Sequence, residues 1–181
     1  MTSATQGTTI PKGQDEKSEK IMVYTSTSLY WGEVVVKEVI RVSTWLRTNA
    51  APDRITLYNA SGIIATTAVN TKPLKFGELN IPLSQIYAYH LMPPARDPLD
   101  FDPTEPNRRM ESVTALVSTF IIKGSLRLST NSDLKKYLEV TRESFTAIYD
   151  AEITNGVIPS LGPITVPFVL VRQDTTTFAK R

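Results

Sequence analysis

The 181 residues include no cysteine, a single histidine and only eight glycines. Without cysteine the chain has no disulfide, no thiolate nucleophile and no zinc site built on sulfur. His90 alone excludes a metal site with two or more imidazole ligands from one chain. Charge of one sign is lacking too. The 20 Lys and Arg face 18 Asp and Glu, and the net +2 is too small to attract nucleic acid or anionic lipid strongly. That charge divides as +2 over residues 1–92, −1 over 93–109 and +1 over 110–181, so neither half is a basic funnel. No window approaches the roughly 18 apolar residues of a spanning helix. The opening residues carry no apolar run of signal-peptide length. The expectation is a soluble, unexported, cytoplasmic protein with no membrane partner.

Catalytic parts are scarce as well. There is no phosphate loop, no dinucleotide fingerprint, no Gly-x-Ser-x-Gly elbow and no clustered carboxylate pair in an apolar setting. Ser84, His90 and Asp97 can be drawn as a triad, but His90 reads better as a strand-end residue facing solvent or a subunit contact. The sequence therefore names no catalytic residue, metal, cofactor or small-molecule substrate, and the expectation is a protein that is not an enzyme.

What is abundant is β-branched. Val, Ile and Thr number 14, 14 and 23, which favours pleated strands over helices and argues against an all-helical fold. Residues 1–20 are polar and poor in large apolar side chains, the composition of a flexible tail. Residues 93–109 hold five of the twelve prolines and four acidic groups, Asp97, Asp100, Asp102 and Glu105. Their spacing is loosely that of a calcium loop, but the turn glycine is absent and Pro103 interrupts it, so the segment reads as a solvated, semi-rigid linker.

The flanks of that linker resemble each other. The stretch from Ser26 lies over the stretch from Ser118 without a gap: Gly32 meets Gly124, Val34 and Val36 meet Leu126 and Leu128, and Trp45-Leu46 meets Tyr137-Leu138. After one short length change Tyr58-Asn-Ala60 meets Tyr149-Asp-Ala151, and Ile81-Pro82-Leu83 resembles Val166-Pro167-Phe168. Each copy reads as an opening strand (21–28; 112–120), a second strand through the shared glycine (29–37; 121–129), a short helical turn, and further strands of which the last begins at Pro82 or Pro167. In that turn Trp45, Leu46, Tyr137 and Leu138 are expected to plug the core. The expected fold is mainly β: two tandem small β-barrels of about five strands each, 21–92 and 110–181, from an internal duplication, since closure removes exposed edges. A single mixed sandwich is the alternative.

Gly32-Glu-Val with Thr56-Leu-Tyr-Asn-Ala60, and Gly124-Ser-Leu with Ala147-Ile-Tyr-Asp-Ala151, resemble the first signature of Sm-like barrels, and Ile81-Pro-Leu-Ser-Gln-Ile86 resembles their closing strand. The chain is also similar to an uncharacterised family of small bacterial domains with a Ser-x-x-Leu insertion. The resemblance implies small barrels and ring or filament assembly. The base-contacting loops of Sm-like proteins are replaced here by residues 39–54 and 130–144, and no late Arg-Gly pair is present, so RNA chemistry is not implied residue by residue.

The expected function is a scaffold or interaction protein, a homo-oligomer or a subunit of a larger assembly, docking through barrel edges and the N-terminal arm. Trp31, Tyr30, Tyr87 and Tyr89 are the candidate interface residues. A nucleic-acid reading would rest on stacking by the same aromatics and on basic pairs such as Lys72 with Lys75 and Lys135 with Lys136.

Overall fold

The computed structural model describes residues 9–48, 51–65 and 72–180. Its described strands form one ten-stranded antiparallel sheet. The first half runs β1 (Glu16–Tyr24), β2 (Ser28–Lys37), α1 (Val42–Trp45), β3 (Arg54–Ile64), β4 (Leu74–Pro82), a 3-10 turn (Leu83–Gln85) and β5 (Ala88–Leu91). The second half runs β6 (Arg108–Val117), β7 (Phe120–Ser129), α2 (Leu134–Val140), β8 (Phe145–Asn155), β9 (Ile164–Arg172), a 3-10 turn (Gln173–Thr175) and β10 (Thr177–Lys180), with one extra 3-10 turn (Pro159–Leu161) before β9. β1 starts within the stretch expected as tail, at Glu16, and β6 starts at Arg108.

The repeat holds in the ladders. β2 and β7 break register at Gly32 and Gly124, opposite the left-handed residues Asn59 (φ 47°) and Asp150 (φ 49°). Only glycine fits there: a Cβ on Gly124 would lie 2.6 Å from the Tyr149 carbonyl oxygen, and one on Gly32 2.9 Å from that of Tyr58. Gly32 pairs with Ile21 and Gly124 with Val113, so the two hairpins match residue for residue.

Two closed barrels are not what forms. The strand order is β10-β6-β7-β8-β9-β5-β1-β2-β3-β4, an open sheet in which β5 pairs with β9 of the other half. That pairing explains the open ends, because it uses the edge that closure of the first half would need.

The sheet is buried on both faces at its middle. Along β1, Ile21 and Val23 enter one core while Met22 and Tyr24 enter the other, as the two-residue period requires. The first core is built mainly from β1–β5, with Val34, Leu57, Ile81 and Tyr89, and is completed by Phe145, Ala147, Tyr149 and Leu170 from the second half. The second core, with Val113, Leu126, Ile148 and Val169, is completed by Tyr24, Leu29, Ile63 and Ala88 from the first. Each half thus curls over its own core on opposite faces of a shared sheet and borrows a wall from its neighbour.

Two expectations for the later strands need correction. Pro82 ends β4 and Pro167 lies inside β9; the ladders set Ile81 level with Val171, not Val166. Pro167 falls where the β8–β9 ladder skips Asp150 and beyond the reach of β5, so its missing N–H costs no ladder bond there. The helical turns also differ: Leu46 is buried and Trp45 half-buried against the first core, whereas α2 packs Leu134 and Tyr137 on the second core and leaves Leu138 half-buried. No described helix is long and apolar enough to cross a membrane.

Candidate interaction site: the junction and the free edges

The junction is a short ladder. Ala88 pairs with Val171 and Tyr89 with Leu170, and the Arg172 N–H donates to the Tyr87 carbonyl at 2.7 Å. The Arg172 guanidinium continues the clamp, donating from Nε to the Ile86 carbonyl at 2.8 Å and from a terminal nitrogen to the Leu83 carbonyl, and it lies 4.8 Å over the Phe145 ring. Edge-to-face rings close both sides, Tyr89 on Phe145 at 5.2 Å and Tyr24 on Phe120 at 4.8 Å. Among the hairpin tips, the Ser118 hydroxyl donates to the Ser26 carbonyl.

His90 sits in this junction, not in solvent. It is 4% exposed; the Tyr24 hydroxyl donates to Nε2 at 2.9 Å, and Nδ1 donates to the Leu91 carbonyl at 2.7 Å. Burial pulls its pKa down to about 4, against a smaller upward push from the Leu91 hydrogen bond. Burial likewise pushes the Tyr24 and Tyr89 hydroxyls up. The Ser84-His90-Asp97 arrangement does not assemble: Ser84 is exposed, Asp97 accepts from the Ser43 N–H, and both His90 nitrogens are taken elsewhere. Beside them a cavity of about 20 Å³, lined by Ser43, His90, Asp97 and Phe168, is the size of one water molecule.

The linker is not a free spacer. Asp97 meets the start of α1, and Asp100 accepts from Arg47 at 2.7 Å and from the Tyr149 hydroxyl at 2.6 Å. Burial lowers the Arg47 pKa, but Glu143 and Asp100 outweigh it and hold the guanidinium above its usual range. Phe101 stands edge-on to Tyr149 at 4.9 Å beneath Arg127, and Glu105 accepts from Arg127 and Arg108. Those bonds lower the Glu105 pKa, and the Thr104 hydroxyl and N–H lower that of Asp102. The four acidic groups therefore serve separate partners, and no group of three or more potential metal ligands gathers among the described residues.

The expected interface aromatics do not form one patch. Tyr89 is fully buried, Trp31 and Tyr87 are half-buried against the second core, and Tyr30 packs against the first, over Gly62. The basic pairs lie on different halves, Lys72 and Lys75 exposed at the start of β4, Lys135 and Lys136 exposed on α2.

What sequence reading missed are the two ends of the sheet, β4 and β10, each with one side unpaired among the described residues. Their residues match those of the junction. Lys180 pairs with Val113 as Leu91 does with Ile21, so Thr177 and Phe178 stand where Ala88 and Tyr89 do. Glu78 pairs with Tyr58 as Phe168 does with Tyr149, so Asn80, Ile81 and Pro82 stand where Leu170, Val171 and Arg172 do. The internal repeat was the signal that could have found them, once the strand order was known.

No protein-family model, no curated protein and no solved structure matches this chain.

Proposed function

We propose that this chain is a non-enzymatic scaffold that associates through the free edges of its sheet, built from a duplicated module similar to small Sm-like barrels. One observation carries the reading: the β9–β5 ladder is a contact between two equivalent halves, made by a strand edge of each. The same kinds of edge stand open at β4 and β10. A sheet edge with unpaired N–H and C=O groups is a template for a further strand. His90, the group best suited to proton transfer, is buried and engaged on both nitrogens, which favours interaction over catalysis. The expected N-terminal arm lies partly in residues 1–8, outside the described residues.

Sedimentation velocity over a concentration series at physiological salt tests this, alongside fluorescence anisotropy with labelled single-stranded RNA. The scaffold reading expects species heavier than the 20.1 kDa chain as concentration rises. A monomer throughout that binds RNA tightly and sequence-selectively would replace it with the nucleic-acid reading.

A further inference from the structure

We infer that the partner at the β4 edge is the β10 strand of a second copy of this chain, docked in the register of the β9–β5 ladder, with Asn80 opposite Phe178 and Glu78 opposite Lys180. The inference rests on the scaffold reading and adds its partner and register.

Three observations support it. First, the backbone geometry already exists once in the molecule: Tyr89 pairs with Leu170, the residues that Phe178 and Asn80 match. Because N–H groups alternate sides along a strand, Asn80 presents its N–H and C=O to the open side as Leu170 does to β5. Second, the replacements are complementary. Phe168 and Leu91, the positions that this register extended by two residues would bring level, become Glu78 and Lys180, both exposed and of opposite charge. Third, apolar surface lies beside the β10 edge. Leu116 and Ile121 are 44% and 37% exposed, whereas their counterparts Tyr24 and Leu29 are 0% exposed because the other half covers them.

The contact between copies is weaker than the one within a copy. Pro82 stands where Arg172 donates its N–H, which removes one ladder bond and the guanidinium clamp. Asn80 and Glu78 replace the apolar Leu170 and Phe168, so charge pairing takes over from burial. Such a contact joins two different surfaces, so it closes into a ring or runs on as a filament according to its rotation.

Zero-length carbodiimide coupling of a mixture of ¹⁴N and ¹⁵N chains tests the register. Lys180 lies 2.7 Å from Glu111 in the same chain, and that intramolecular link is the positive control. The expected result is an additional mixed-isotope link between Glu78 and Lys180. In parallel, Glu78→Lys and Lys180→Glu should each associate about tenfold more weakly or worse alone, and mixing the two variants should restore assembly. Association by sedimentation with no Glu78–Lys180 link, or no restoration on mixing, overturns this register and leaves the scaffold reading in place. A monomer at every concentration removes both.

Discussion

His90 shows how much a single side chain depends on what covers it. In an isolated first half it would stand at a strand end, the position the sequence indicates; in the whole molecule it is sealed between the halves against Tyr24. Its pKa falls from 6.5 to about 4 because burial disfavours the imidazolium. The unfolded chain takes up a proton as pH drops below 6.5, while the folded chain does so only near 4. Stability from this residue is therefore full above pH 6.5, declines as pH falls from 6.5 to about 4, and amounts to about 3 kcal/mol over that window. Urea denaturation at stepped pH should show that decline in the native chain and a shallower one in His90→Gln. Equal slopes in the two proteins would mean that His90 titrates freely. Tyr89 depends on its neighbour in the same way: an aromatic at a strand position suits an interface or a core alike, and here it is buried at the junction of the halves. The bulge glycines were legible, because no other residue fits against the Tyr58 and Tyr149 carbonyls.

At the scale of elements, the hairpins, the short helices and their order were readable from periodicity and from the gapless match of the stretches after Ser26 and Ser118. The helices are not equal in burial, however. Leu46 is 3% exposed within the first core, while Leu138, at the same place in α2, is half-buried, with Tyr137 and Leu134 packing the second core instead. Leu46→Ala should cost about 2 to 5 kcal/mol through the cavity it leaves, and Leu138→Ala distinctly less. Thermal and urea denaturation of the two variants decide this, and equal losses would contradict the packing described. Composition alone describes the linker as a solvated spacer. Composition does not reveal that Asp100, Phe101 and Glu105 each find a partner on the folded halves, since Arg47, Tyr149 and Arg127 are distant in sequence.

For the whole molecule the repeat was legible and the openness of the sheet was not. Closure of the first half depends on which edge β5 pairs with, its own β4 or β9 from the second half. The two candidates differ in hydrogen bonding at one position: β9 offers the Arg172 N–H and guanidinium to Tyr87, Ile86 and Leu83, and β4 offers Pro82, which has no N–H. Strand propensities are silent on such a contest. Its outcome leaves one edge of each kind free, and the central claim is that copies join through them as the halves do. The most direct measurement is amide hydrogen exchange of β4 and β10, resolved to single residues, in dilute and concentrated protein. The account predicts that Asn80 and Phe178 exchange freely when dilute and become protected together as concentration rises, while Leu170 and Tyr89 stay protected throughout. If heavier species form while the Asn80 and Phe178 amides exchange at an unchanged rate, the copies do not join through these edges.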